Sequence, residues 1–269
     1  MRSQILTLAL IAGTAAAGPR ADVVLRGGQI YTVDAARTWA TAVAIKDGRI
    51  LYVGDDRGAG AHAGRGTRVV DLAGRMVLPG FHDSHMHPVS GGLRLVRCRL
   101  ADATTTEQLH AAVRACAAAS PASPWLIGNG WDPGRFPPAA LRSTTLDALV
   151  PDRPVYLATE DGFTAWVSSS ALRIAGIDGN TPDPKGGQID RDPKTGQPTG
   201  VLRDAAVTLV RRKFPPVPGA EYREGLRRAL AMANRFGITS LMEAAADQAI
   251  LEQYLAADRA GELTARVVA

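Results

Sequence analysis

The sequence predicts an α/β protein in which an all-β block precedes strands that alternate with helices. Two patterns carry that expectation. Residues 22–78 show short apolar alternations separated by tight turns, and from Pro218 onward the apolar period lengthens to that of helices lying between strands. Alternating strands and helices imply parallel pairing through right-handed crossovers. Residues 76–81, 238–242 and 264–268 stand in barrel-like order. A closed (β/α)8 barrel needs eight such strands, so a chain of 269 residues showing three reads as the N-terminal part of a longer protein.

Residues 1–17 read as an export signal. Met1-Arg2 gives a positive start, residues 5–12 are apolar, and Ala15 and Ala17 form an A-x-A cleavage pattern. The stretch is too short to cross a bilayer, which takes ~20 apolar residues; an uncleaved anchor is the other reading. A periplasmic or secreted location follows, with no membrane span after cleavage. Export permits disulfides. Cys98 lies on an apolar strand face and Cys116 on an apolar helical stripe. Both read as small buried hydrophobes, and a disulfide between them is the alternative.

In the block 22–78, Val23-Val24-Leu25, Ile30-Tyr31-Thr32-Val33, and Val43 with Ile45 read as strands. Asp47-Gly48 supplies a hairpin turn, because this pair accepts the positive φ angles that a tight hairpin needs. Ile50 and Tyr52 form the return strand. Residues 69–72 and 76–78, around a turn at Ala73-Gly74-Arg75, complete an antiparallel domain. At Pro79-Gly80 the character changes. Residues 95–100 read as one more strand, and Thr104 with Glu107 as a capping box that opens a helix through Ala118. Residues 120–215 read as an insertion broken by Pro and Gly, with one hairpin across 188–191 and 199–202. Leu226, Leu230, Ala233 and Phe236 then form a helical stripe ended by Gly237. Asp247 caps a second helix, with Ile250, Leu251, Tyr254 and Leu255 inward and Gly261 at its end.

Composition excludes other classes. Hydrophobic residues at 46% and charged residues at 21% describe a packed globular chain. Of the 31 basic residues only four are Lys, and they are scattered without interleaved aromatics. A net charge of +5 so distributed is no nucleic-acid surface.

The chemistry concentrates at Phe81-His82-Asp83-Ser84-His85-Met86-His87-Pro88. In extended backbone alternate side chains share a face. His85 and His87 can therefore reach one metal ion, with Zn–N near ~2.0–2.1 Å, from the strand end where barrel enzymes place reactive groups. His82 has the opposite parity and faces away. Asp83 shares their parity, so it either orients a ligand imidazole or serves as a strand-end hydrogen-bond partner. H-x-H alone is a common pattern; its position after Pro-Gly and a β-block makes it specific.

Residues 79–88 resemble the first metal motif of the amidohydrolase superfamily. Gly128-Asn129-Gly130-Trp131-Asp132, Asp161-Gly162-Phe163-Thr164-Ala165-Trp166-Val167, Gly186-Gly187-Gln188-Ile189, Thr195-Gly196-Gln197-Pro198-Thr199-Gly200-Val201-Leu202 and Gly237-Ile238-Thr239-Ser240 narrow the resemblance to amidohydrolase family 3, the branch that includes N-substituted formamide deformylases. The resemblance implies a β-sandwich over 22–78 and a partial (β/α)8 TIM-type barrel over 79–269, with the insertion at about 120–215 folded over its mouth. It implies that the sandwich is completed by C-terminal strands that this chain lacks. It also implies that His85 and His87 bind a catalytic divalent metal, usually zinc, as one or two ions. A metal-activated water would then hydrolyse a carbon–nitrogen bond other than a peptide bond, in a small-molecule amide, formamide or cyclic amide.

The same resemblance places the other ligands and the proton-shuttling Asp on later strands. No His follows His110, and none of the four Lys ends a predicted barrel strand. Two imidazoles fill half of a tetrahedral shell, so the fragment alone is expected to be inactive. Family members commonly show Asp-Gly-His where this chain has Asp161-Gly162-Phe163. Trp131, Asp132 and Asp161 read either as substrate-binding residues or as core and turn formers. Glu243, ending a strand, could face the barrel mouth and is left unassigned. The alternative function, prompted by the missing strands and by Phe163, is a truncated or degenerate relative that binds metal or ligand weakly without catalysis.

Overall fold

The structure, a computed structural model, describes residues 18–269, so the export signal read over residues 1–17 lies outside the described residues. The chain divides into two compact units, one ending at Gly80 and the other comprising Phe81–Ala269.

The first unit holds β1 (Val23–Arg26), β2 (Gln29–Tyr31), β3 (Trp39–Ala40), β4 (Ala42–Lys46), β5 (Arg49–Gly54), α1 (Asp56–Ala61), β6 (Arg68–Asp71) and β7 (Met76–Val77). They form a four-stranded sheet of order β5-β4-β1-β6 and a three-stranded sheet of order β3-β2-β7. The β4–β5 hairpin turns at Asp47 and Gly48, whose φ angles are 49° and 69°. The unit is not wholly antiparallel as expected: β1 runs parallel to β6 and β2 parallel to β7. Local alternation carries no record of the direction in which a distant strand returns. For the same reason β6 and β7, read as neighbours across a turn, fall in different sheets. Val24, Ala42, Ala44 and Ala59 form the core, small enough for α1 to lie on the sheet.

The second unit begins with β8 (Phe81–Met86), α2 (Pro88–Val96), β9 (Cys98–Arg99), α3 (Thr106–Ala119), β10 (Leu126–Trp131) and α4 (Ser143–Leu149). It continues through β11 (Val155–Thr159), β12 (Thr164–Val167), α5 (Ser169–Ala175), β13 (Gly187–Arg191), β14 (Pro198–Asp204) and α6 (Val207–Arg211). It closes with α7 (Gly219–Arg235), β15 (Ile238–Glu243), α8 (Gln248–Arg259) and β16 (Arg266–Val268). Strands β16, β15 and β8, in that order, make a parallel three-stranded sheet. The order β13-β14-β12-β11-β10-β9 makes a mixed six-stranded sheet.

Several expectations shift here. The inner strand predicted over 76–81 starts at Phe81, whose N–H donates to the Gly237 carbonyl at 2.8 Å. Met76 and Val77 pair with β2 instead. Leu95 and Val96, read as strand, end helix α2. Pro88, Gly91 and Gly92 resemble breakers, yet Pro opens the helix where its missing N–H is harmless. Gly92 is where α7 comes closest: a Cβ there would meet the Gly225 carbonyl oxygen at 2.2 Å. The capping box falls one residue later, on Thr105 and Gln108. In α7 the buried stripe is Leu226, Ala229, Leu230 and Ala233, while Phe236 caps the helix and is exposed. In α8, Ile250 and Tyr254 turn inward and Leu251 and Leu255 outward.

The stretch 120–215 is more regular than its composition predicted. Its Pro and Gly residues sit largely in connections, between short apolar strands around Trp131, Leu157, Trp166 and Val201. The β13–β14 hairpin lies where expected. The two cysteines are joined in a disulfide, with Cα atoms 5.4 Å apart. Reading each as a separate buried hydrophobe missed this, since period alone does not bring β9 beside α3.

Candidate metal centre

Strands β8 and β15 lie side by side and parallel, so their C-terminal ends meet. His85 sits in the last turn of the β8 pleat, and His87 follows at the N-cap of α2, its side chain making no capping bond. The two imidazoles face each other, with ring centroids 5.2 Å apart and planes at 80°. The extended backbone thus brings both rings to one side. Each is exposed.

Behind His87 stands Glu243, the last residue of β15. Its Oε1 lies 3.0 Å from His87 Nδ1, and its side chain has no exposed surface. Oε2 accepts a hydrogen bond from the Tyr254 hydroxyl at 3.0 Å, and Oε1 accepts from the Ala245 N–H at 3.2 Å. Burial, then the nearby carboxylate, pushes the Tyr254 phenol well above its ordinary pKa, so it remains a donor. An imidazole held through Nδ1 by a carboxylate keeps Nε2 for a metal, the usual arrangement behind ligand histidines. Sequence reasoning left Glu243 unassigned. Its only signal was an acidic residue closing an apolar strand.

Asp83 accepts from the His85 backbone N–H at 2.9 Å, so it shapes the strand end and does not reach the imidazole. His82 is exposed on the strand. Among the described residues no group of three or more His, Cys, Asp and Glu converges as a metal shell. The donor set therefore fits two positions of a site, with the orienting carboxylate already in place.

The residues read as pocket candidates separate. Trp131 is buried and its Nε1 donates to the Leu157 carbonyl at 2.8 Å. Asp132 accepts from the Gly134 N–H at 2.9 Å and pairs with Arg135 at 3.2 Å. Asp161 accepts from the Thr159 hydroxyl and from the Phe163 N–H, which hold its carboxyl below the usual range. Asp161 and Phe163 both line a cavity of about 690 Å³ that also reaches Ser90, in the first turn of α2.

Residues 68–269 match the Amidohydrolase family. The protein LONG AFTER FAR-RED 3 of Arabidopsis thaliana is 36% identical over 230 residues, which cover 86% of this chain and 39% of that protein. An N-substituted formamide deformylase of Arthrobacter pascens is 30% identical over 194 residues, covering 70% of this chain and 35% of the enzyme. The chain thus spans less than half the length of these relatives. A metal-dependent hydrolase of Pyrococcus furiosus has the same fold at TM-score 0.69 and 24% identity, over 91% of this chain and 49% of that one.

Proposed function

Because the chain belongs to the amidohydrolase family, we propose that it supplies the first metal-binding part of a hydrolase centre. The centre acts on a carbon–nitrogen bond other than a peptide bond, in an amide, formamide or cyclic amide. The observation that carries this reading is the facing pair His85 and His87 with Glu243 behind one of them.

His85 and His87 would hold a divalent cation, zinc being one of the transition metals that imidazole suits. When bound, such an ion polarises the substrate carbonyl and makes water nucleophilic near neutral pH. The chain's own groups do the positioning. Glu243 fixes the ring plane and tautomer of His87 through Nδ1, and Tyr254 and the Ala245 N–H hold Glu243 in turn. Asp83 holds the His85 backbone, which sets where that ring leaves the strand. The cavity bordered by Ser90 and Phe163 receives the part of the substrate beyond the scissile bond. Among small-molecule amides the name of the Arthrobacter relative favours N-substituted formamides.

We further propose that the protein is exported, to the periplasm or outside the cell. The leader pattern in residues 1–17 and the Cys98–Cys116 disulfide support this, since disulfides persist in oxidising compartments.

The test is metal analysis of the full-length gene product alongside hydrolysis of an amide and formamide panel. Wild type should carry metal and turn over at least one member, and His85→Ala/His87→Ala should lose both. Full activity in the double variant would refute the assignment.

A further inference from the structure

The cavity beside α2 has a polar end that the fold leaves without a partner. Tyr156, on β11, is 4% exposed and lines this cavity, its ring packed edge-on against Phe214 with centroids 4.9 Å apart. Among the described residues its hydroxyl makes no hydrogen bond. Nor is that oxygen sealed from solvent: the buried polar atoms without partners are His110 Nε2 and Arg153 Nε. Its remaining access is therefore through the cavity. Through that opening the hydroxyl is free to donate to a ligand acceptor.

The charged groups on the wall are unequally engaged. Arg97 is paired with Glu221, and Arg94 donates to the Thr159 and Glu160 carbonyls with the Glu160 carboxylate 3.8 Å away. Asp161 is committed to its own turn, and Asp204 is exposed at the end of β14. Arg211, exposed at the end of α6, also lines the cavity, and its guanidinium makes no hydrogen bond or ion pair among the described residues. Its charge and that of Arg94 both bear on the Tyr156 hydroxyl, which burial holds protonated, with a pKa of about 12.

We propose that this cavity binds a carboxylate carried by the substrate, with Arg211 as the cationic partner, Tyr156 as the hydroxyl donor, and Phe163 and Phe214 against an apolar or aromatic stem. The proposal deepens the amidohydrolase reading and rests on it for catalysis, but not for binding. Ser90 borders the cavity three residues after His87. The favoured substrate class is thus an amide or formamide whose nitrogen substituent ends in a carboxylate.

The probe is 3-phenylpropionate, compared with neutral 3-phenylpropionamide, by titration calorimetry on the full-length gene product. The acid should bind at least tenfold tighter than the amide. Arg211→Gln and Tyr156→Phe should each weaken acid binding about fivefold or more and leave amide binding unchanged. Selectivity that survives in His85→Ala/His87→Ala supports the pocket whatever becomes of activity. Selectivity lost in that variant puts the carboxylate at the histidines and overturns the proposal, as does equal binding of acid and amide or an unchanged preference in Arg211→Gln.

Discussion

Glu243 Oε1 and His87 Nδ1 stand 3.0 Å apart although 156 residues separate them in sequence. The parallel pairing of β8 with β15 makes this contact, and the Tyr254 hydroxyl completes it from α8. Three elements of one sheet-and-helix layer thus converge on the orientation of one imidazole.

Glu243→Gln tests that convergence. A carboxylate accepts at both oxygens, whereas an amide accepts at one. Either His87 or Tyr254 then loses its acceptor. Metal affinity of the full-length gene product should fall about 10–100-fold, the usual cost of losing a carboxylate behind a ligand histidine. Chelator competition measures it, and an unchanged affinity would remove Glu243 from the centre.

Two neighbouring glycines in α2 make a paired prediction. A Cβ at Gly92 meets the α7 backbone at 2.2 Å, whereas at Gly91 it meets nothing within 4 Å. Gly92→Ala should destabilise by about 1–3 kcal/mol, the range for overpacking. Gly91→Ala should be neutral or stabilising by up to ~1 kcal/mol through helix propensity. Urea midpoints decide it, and equal effects at both positions would contradict the close helix crossing.

What the sequence made legible was what short-range chemistry encodes. The Asp47-Gly48 turn, the Asp247 cap, the β13–β14 hairpin and the positions of His85 and His87 all depend on residues a few places apart. What it concealed was long-range. Gly92 looks like a helix breaker until Gly225 is seen against it. Glu243 looks like an unremarkable strand end until β15 lies beside β8. The direction of β6 and β7 depends on partners far back in the chain. Cys98 and Cys116 each satisfy an apolar pattern, and that satisfaction hides the bond between them.

The Cys98–Cys116 bond closes a loop with a sequence separation of 18. A crosslink of this span stabilises by about 2–4 kcal/mol, chiefly by restricting the unfolded chain. Reduction with dithiothreitol, or Cys98→Ala/Cys116→Ala, should lower the thermal midpoint of the oxidised protein by several degrees. Midpoints that coincide with and without reductant would show that the bond contributes no stability.

His110 yields a pH prediction. Its Nε2 is buried without a partner on α3, with the Trp166 ring centroid 6.4 Å from its own. Burial, then the charge of Arg114, lowers its pKa, and Glu107 offsets this only in part. The unfolded chain keeps the ordinary value of about 6.5. Between the lowered folded value and about 6.5 the unfolded state therefore binds more protons, so stability rises with pH across that window and falls on acidification. His110→Gln removes the titration while keeping a polar side chain. The wild-type denaturation midpoint should drop more than that of the variant between pH 7.5 and pH 5.5. Parallel profiles for the two proteins over that range would mean that His110 protonates as readily folded as unfolded, contrary to its sealed Nε2.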